Sequence, residues 1–477
     1  MGEITKMINY KRIKYIYLFI GILISDFLLL RFHGLVNQDQ FFCFGFANAI
    51  FNGYVPYNDF NMIIFPLYAY LMAPFSKNIL TFHIFNAILQ AGIYSHITYL
   101  IKNNKVKVLF ILFILLKITL FPFLDYNILM IYFLIISYFF LEKYLNSQNK
   151  YFLLLTGMFL SMALLTKHSV PGIIIIALTI MMFIHCTKNK KLVDFIFYSI
   201  GGSFPVVLLL FFAHINNYLF NMIDYALLSM LDFSSLASEQ PISLIFIISI
   251  LFVISVSLLL LGTIDTKNAI KCLIYIVPIF VLLILKEERT ALFSSLYILS
   301  ILGIELESEK TNFQTLFGRL MKYITGIILI FMIFCLSVAS IKEQTKVLNS
   351  DFITTNEYDS LKNTKMLTFQ YNYIRAIEKY IKDHPEEDIL VVSAMNRLYG
   401  ISQNETYGVF DILLSGNLGI YNKNDIPNRL NKYDLIISAR VGMKMKYEPI
   451  YDYIKNTYEQ IDKIPIENGY AYVYKVK

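Results

Sequence analysis

Long apolar runs alternate with short polar segments from the N-terminus to about residue 341. A membrane-spanning helix needs about 20 mostly apolar residues, and on that rule we predict about eleven spans. The predicted spans lie near residues 14–32, 80–101, 106–122, 126–142, 151–166, 170–186, 193–214, 241–263, 269–285, 290–306 and 321–341. The pattern therefore predicts an all-α polytopic membrane bundle over residues 1–341.

After residue 341 the pattern changes to that of a small folded domain. Apolar positions at Ile374, Ile377 and Ile381 repeat with helical spacing, and Pro385 ends the pattern. The runs DILVVSA, YDLIISA and AYVYKV are rich in β-branched or aromatic residues and predict strands. We therefore predict a C-terminal α/β domain over residues 342–477.

The composition agrees with a membrane protein and indicates its orientation. Hydrophobic residues make up 57% of the 477 residues and charged residues only 16%, whereas about a quarter of the residues of soluble domains are charged. Basic residues cluster in alternate loops, which the positive-inside rule places in the cytoplasm. The net charge of +7 therefore reflects topology, and we expect no nucleic-acid partner. We predict a multi-pass cell-membrane protein with a cytoplasmic N-terminus and an extracytoplasmic C-terminal domain.

The segment after the first span predicts a short helix in the first external loop. Between Asp39 and Gly53, apolar residues with many phenylalanines share one face, and about 15 residues are too few to cross a bilayer. We predict an interfacial helix that ends at Gly53, before Pro56. Asp39 at its start is an N-cap that stabilises the helix or a functional acid, and the two roles are compatible. Asp59 lies beyond its far end.

The order of these features resembles that of a known family of membrane enzymes. The first loop contains NGYVPYNDFN, and the segments FLDYNILMIYF, GMFLSMALLTKHSVPGIIII and KEERTALFSSLYILSIL follow at later span ends. Taken in this order, the segments are similar to segments of the GT-C superfamily of integral membrane glycosyltransferases. Together the matches extend over most of residues 15–305. The resemblance implies a sugar donor carried on a polyprenyl phosphate, and a cell-envelope glycan or lipid as acceptor.

Such a transfer needs a base for the acceptor hydroxyl and positive charge for the departing phosphate. Asp39 is the candidate base for an inverting attack, and Asp59 is a candidate second carboxylate. The candidate donor-phosphate ligands lie at the outer ends of spans: Lys167, His168, Lys286 and Arg289. Alternatively, these cations only extend from helix ends to the membrane interface, and His168 is a structural histidine.

The first loop departs from the family pattern in one respect. Members of the superfamily often carry two acids close together there, whereas this chain has Asp39 alone between Gln38 and Gln40. Divalent cations prefer several oxygen ligands, usually including carboxylates. Because the sequence shows no clear cluster of such ligands, we predict no cofactor; a divalent metal, with Asp59 as a second carboxylate, stays an open alternative without a clear ligand cluster.

Three other functions stay open at this point. A transporter or flippase of lipid-linked saccharides commonly has repeated halves and charged groups at mid-membrane, whereas this sequence has no evident repeat and its polar candidates gather at one face. A polymerase or ligase of lipid-linked saccharides differs from the first prediction in the donor, which then carries a chain of sugars. An inactive scaffold is the third alternative, given the single acid.

Overall fold

A computed structural model shows a mostly helical chain, with 76% helix and a small C-terminal sheet region. The structure describes residues 2–34, 38–60, 64–223, 244–263, 288–305, 316–357, 361–393, 433–439, 456–466 and 469–476, with isolated positions between these ranges. Its contacts form two compact units. Unit 1 comprises Met1–Leu30, Asn86–Leu210 and Ala237–Leu348, and unit 2 comprises Arg31–Phe85, Phe211–Leu236 and Asn349–Lys477.

The helices begin where the local sequence supplies caps. The side chain of Asn103 accepts hydrogen bonds from two backbone amides at the start of one helix, and the side chain of Asn149 does so from one amide at another. The helices are α1 Gly2–His33, α2 Gln38–Phe51, α3 Leu67–Met72, α4 Ile79–Leu100, α5 Asn104–Leu120, α6 Tyr126–Ser147, α7 Lys150–Thr166, α8 Ser169–Lys188, α9 Leu192–Ile215, α10 Leu219–Ile223, α11 Leu244–Thr263, α12 Glu288–Glu305, α13 Leu316–Leu348 and α14 Thr368–Lys382.

Six helical segments in the described part of the chain are long and apolar enough to cross a membrane. They are Ile13–His33, Tyr126–Ser147, Val170–Lys188, Leu192–Ile215, Leu244–Leu261 and Leu320–Leu348. The predicted spans at 106–122 and 151–166 correspond to α5 and α7, which have 17 residues each, and the one at 269–285 lies outside the described ranges. The six segments have the character of a multi-pass membrane protein, and the count of eleven stays a prediction.

In unit 1, α7 and α9 approach each other through small residues. A Cβ atom at Gly201 would overlap the backbone of Leu154, and one at Gly157 would overlap the backbone of α9. The hydroxyl of Ser161 donates a hydrogen bond to the carbonyl of Gly202 at 2.5 Å. Small residues permit this close backbone contact between membrane helices. The spacing of Gly157 and Ser161 in the GMFLSMALLTK segment therefore serves the packing of α7 on α9.

In unit 2, the helix that the sequence predicts after the first span is confirmed as α2. Its phenylalanines pack inside the protein: Phe44 contacts the ring of Phe82, and Phe46 stacks on Phe60. The side-chain amide of Asn48 donates to the carbonyl of Ser76 at 2.6 Å. The apolar face that suggested contact with lipid headgroups is thus buried within unit 2.

The C-terminal part of unit 2 contains the strands and the helix that the sequence predicts, since α14 covers the predicted helix. Strands β1 and β2 form an antiparallel pair, and the other four form a sheet of order β3-β4-β6-β5 in which only β3 and β4 are parallel. The strands are β1 Phe352–Thr355, β2 Thr364–Leu367, β3 Ile389–Ser393, β4 Leu435–Ala439, β5 Tyr458–Ile466 and β6 Gly469–Val476. The boundary predicted at residue 341 falls within α13.

The end of α1 contacts this C-terminal segment within unit 2. The guanidinium of Arg31 donates to the backbone carbonyl of Asn363 at 2.7 Å. Gly34 has a φ of 59°, and a Cβ atom there would overlap Lys365. Glycine is therefore required for both the left-handed turn and the close approach.

We expect Gly201→Ala to destabilise the protein, because a methyl group at this position overlaps the backbone of α7. Overpacking of this kind costs about 1–3 kcal/mol of unfolding free energy. The melting temperature in detergent can be followed with a thiol-reactive dye, since Cys43 and Cys186 are buried. Gly326→Ala is the matched control, because a Cβ atom there meets nothing within 4 Å. Equal melting temperatures for both variants would contradict the assigned packing.

Candidate functional site

The segment between α5 and α6 builds one corner of a buried polar site in unit 1. Pro122 follows the end of α5, where a helix cannot continue through its ring. Asp125 then caps α6, since its Oδ1 accepts a hydrogen bond from the amide of Ile128 at 3.0 Å. A carboxylate at this position also faces the positive end of the helix dipole. The FLDYN segment is therefore the start signal of α6.

Lys117, one turn before the end of α5, lies in the interior of unit 1 with a relative exposure of 1%. Its ammonium donates hydrogen bonds to Oε1 of Gln90 at 2.9 Å and to the carbonyl of Phe123 at 3.1 Å. The amide of Gln90 in turn donates to Oδ1 of Asp26 at 2.5 Å. Gln90 thus bridges a buried cation on α5 and a buried acid on α1.

A second chain of hydrogen bonds runs from Asp125 to Lys167. The amide of Asn127 donates to Oδ2 of Asp125 at 3.0 Å, and its Oδ1 accepts from the ammonium of Lys167 at 2.8 Å. The same ammonium lies 5.6 Å from the ring centre of Tyr126. Lys167 is the residue at the C-terminal end of α7 and is partly exposed, so this cation is held in place yet accessible.

We name Asp26, Lys117, Asp125 and the partly exposed Lys167 the buried charge cluster, after its three buried members. Two acids and two lysines balance in formal charge, which an apolar surrounding requires of buried ions. Burial raises the pKa of the Asp125 carboxyl, while the nearby Lys117 opposes that rise. Oδ2 of Asp26 and the hydroxyl of Tyr94 are buried and have no hydrogen-bond partner among the described residues. Ionisable groups inside membrane helices mark functional sites by default.

His168 follows Lys167 and is the N-cap residue of α8. Its ring is buried, and burial together with the adjacent Lys167 lowers the pKa of the imidazole to about 4. The imidazole is therefore neutral near pH 7. In its predicted role at a donor phosphate, His168 can donate a hydrogen bond but contributes no positive charge.

The two predicted acids both belong to unit 2. Asp39 is the second residue of α2, and its side chain lies outside the described part, so its role as base stays a prediction. Asp59 is exposed, and its Oδ2 accepts a hydrogen bond from the amide of Val55 at 2.6 Å. This bond closes the turn of the NGYVPYNDFN segment and gives Asp59 a structural role.

The structure describes the other two predicted phosphate ligands, Lys286 and Arg289, only in part. Arg289 is the second residue of α12, with its side chain outside the described part, and Lys286 lies wholly outside the described residues. Of the six predicted site residues, the described side chains bring together the sequence neighbours Lys167 and His168. The other members of the buried charge cluster were missed.

The sequence of α4 contains a polar pattern that indicates the buried polar site. His83, Asn86 and Gln90 are spaced three and four residues apart on α4, and all three are buried. The amide of Asn86 donates to the carbonyl of Leu124 at 2.9 Å, and its Oδ1 accepts from the amide of Leu124 at 2.7 Å. A polar face on an otherwise apolar helix predicts partners inside the bundle.

No protein-family model matches the sequence, and no curated protein matches it. Within the described ranges, no group of three or more His, Cys, Asp and Glu side chains could hold a metal ion. The fold and the site therefore define the chain only as a helical protein with multi-pass membrane character and a buried charge cluster.

We expect Lys117→Met to destabilise the protein by about 3–5 kcal/mol, because it leaves two buried acids without their shared cation. Adding Asp26→Asn should recover part of this loss, since it removes one uncompensated carboxylate. Melting temperatures in detergent measure both effects. Lys188→Met, at an exposed position of α8, is the control and should change little. A double variant no more stable than Lys117→Met would contradict the coupling through Gln90.

We expect the contribution of His168 to the stability of the protein to fall as the pH decreases from about 6.5 to 4. In this window the unfolded histidine binds a proton, whereas the folded His168, with its pKa lowered to about 4, does not. The free energy of unfolding that is lost through His168 reaches at most about 3 kcal/mol. His168→Gln should flatten this part of the profile of melting temperature against pH. Parallel profiles of the two proteins would contradict a buried, neutral His168.

Proposed function

We propose that the chain is a GT-C-type membrane glycosyltransferase that moves a sugar from a polyprenyl-phosphate-linked donor to a cell-envelope glycan or lipid at the outer membrane face, with about eleven spans. One observation carries the proposal. Two segments that resemble the superfamily, FLDYNILMIYF and GMFLSMALLTKHSVPGIIII, lie on the consecutive helices α6 and α7 and meet through the hydrogen bond of Asn127 with Lys167, 40 residues further along the chain. This hydrogen bond places the cation Lys167 where the two segments meet.

Lys167 is suited to bind the phosphate of the donor. Its ammonium is fixed by Asn127, which Asp125 fixes in turn, so the cation is preorganised for developing negative charge. Because Lys167 is partly exposed, it can reach a ligand that the fully buried Lys117 cannot. Asp125 and Asn127 are positioning residues in this proposal, and Lys117 with Asp26 completes the charge balance behind them.

The reaction is a single displacement at the anomeric carbon of the sugar. The oxygen of the acceptor hydroxyl bonds to that carbon while the bond from carbon to phosphate oxygen breaks. The electron pair leaves with the polyprenyl phosphate, whose charge Lys167 stabilises, and the hydroxyl proton passes to a carboxylate. Asp39 is the proposed base and Asp59 the second carboxylate. Attack opposite to the leaving group inverts the configuration.

The remaining proposed ligands add to the phosphate site. Arg289 offers a planar group with paired donors for phosphate oxygens, and Lys286 offers a point charge. Neutral His168 donates a hydrogen bond next to Lys167. The proposal requires no metal cofactor, since the leaving charge is matched by these cations.

A transporter of lipid-linked saccharides is the second candidate. Asp26 and Lys117 favour it, because buried ionisable groups within membrane helices also occur in the substrate and ion pathways of transporters. However, Asp125 is the N-cap residue of α6 and Lys167 the C-cap residue of α7, whereas transporter sites lie near the middle of the membrane. The positions of Asp125 and Lys167 therefore support the enzyme over the transporter.

The proposed function is tested with the purified full-length protein in liposomes that contain polyprenyl phosphates bearing labelled sugars and an envelope extract as acceptor. We expect the wild type to form labelled product. Lys167→Met should lower the rate about 10²- to 10³-fold through loss of charge stabilisation, and Asp39→Asn about 10²- to 10⁴-fold through loss of the base.

Lys150→Met is the matched control, because Lys150 lies at the opposite end of the same helix and should leave the rate unchanged. The proposal fails if both site variants transfer as well as the wild type. Movement of the lipid-linked sugar across the bilayer without a new glycosidic bond would instead identify the transporter.

A further inference from the structure

A second polar site lies in unit 1, at the ends of α5 and α6 opposite to the buried charge cluster. It is a cavity of about 1430 Å³ between α1, α4, α5 and α6, larger than the roughly 300–1,000 Å³ of common ligand pockets. Four of its lining residues are lysines, namely Lys14, Lys102, Lys107 and Lys143. Among the described lining residues, Glu142 is the one acid.

The described lining of the cavity contains more cations than acids. Lys102 lies 3.3 Å from Oε1 of Glu142, and the amide of Asn146 donates to the same oxygen at 3.2 Å. Glu142 is therefore already engaged by groups of the cavity wall. Among the described lining residues, four lysines against one glutamate give a formal excess of three positive charges, which favours an anionic occupant.

Aromatic side chains hold two of these lysines along the wall. The ammonium of Lys107 donates to the hydroxyl of Tyr15 at 2.9 Å, and the Tyr15 ring packs edge-to-face on Tyr99 with ring centres 5.2 Å apart. The ammonium of Lys143 lies 5.1 Å from the ring centre of Phe139. Cations placed on aromatic rings are partly ordered before a ligand arrives, which lowers the entropic cost of binding.

Membrane orientation alone does not account for this arrangement. The positive-inside rule predicts basic residues at this end of the helices, and Lys105 and Lys150 satisfy it without lining the cavity. The four lining lysines come instead from different parts of the chain and converge on one space. Exposed Ile13, Ile16 and Tyr17 on α1 flank Lys14, so an apolar surface borders the cations.

We propose that this cavity binds the phosphate headgroup of an anionic lipid in the cytoplasmic leaflet, with the acyl chains against the apolar face of α1. Basic pockets between membrane helices on the cytoplasmic side bind such headgroups. A soluble phosphate or pyrophosphate carries the same negative charge. It has no apolar group, however, that could contact the exposed apolar residues of α1. The site is separate from the proposed transfer reaction, and binding alone reports on it.

The test uses the full-length protein purified in neutral detergent and titrated with short-chain phosphatidylglycerol, with bound lipid counted by native mass spectrometry. Three variants are compared with the wild type: the triple variant Lys14→Gln, Lys107→Gln, Lys143→Gln; the single variant Lys14→Glu; and the control Lys105→Gln, Lys150→Gln, Lys188→Gln. The control removes the same number of charges from lysines that do not line the cavity.

Each lysine near an anionic surface contributes about fivefold in affinity, so the triple variant should lose about a hundredfold and the control little. Lys14→Glu changes an exposed residue and should weaken binding, and its melting temperature is measured to show that the protein stays folded. Equal losses in the triple variant and the control would overturn the proposal, as would undiminished binding in Lys14→Glu. A third arm uses inorganic pyrophosphate alone, and a tighter affinity for it than for the lipid would overturn the assignment to a lipid.

Discussion

A buried ammonium group must be neutralised where water is scarce, and the arrangement around Lys117 follows from this requirement. Its charge lies in the interior of unit 1, where an ion without partners would cost several kcal/mol. Asp26 compensates it through Gln90, and the carbonyl of Phe123 takes a second hydrogen bond. The turn after α5 and the faces of α1 and α4 are thereby fixed together.

The same requirement for charge compensation extends to Lys167, the accessible cation. Lys117 stands near Asp125, and Asp125 orients Asn127, which binds Lys167. A cation at a helix end would normally be a mobile side chain on the membrane surface. Here a continuous set of hydrogen bonds restricts it, and restriction before substrate arrives is what charge stabilisation in catalysis requires. The proposed phosphate site thus depends on the compensation of the buried ions behind it.

The sequence predicts part of the elements and part of the site. Apolar length and local propensity identify α2, α14 and strands β3, β4 and β6, because these depend on neighbouring residues. Lys167 was recognisable because it interrupts an apolar stretch, and Asp26 interrupts the first span in the same way. Its partner could not be predicted: Gln90 is 64 residues away, and their pairing depends on how α1 packs against α4.

The central claim is that Lys167, held by Asn127, binds the phosphate of a polyprenyl-linked donor. The most direct measurement is a cryo-electron microscopy structure of the full-length protein in lipid nanodiscs with a bound polyprenyl phosphate. The account predicts a phosphate oxygen about 3 Å from Nζ of Lys167, with Lys117 still bonded to Gln90. A phosphate bound far from Lys167, with that side chain turned into lipid, would contradict it.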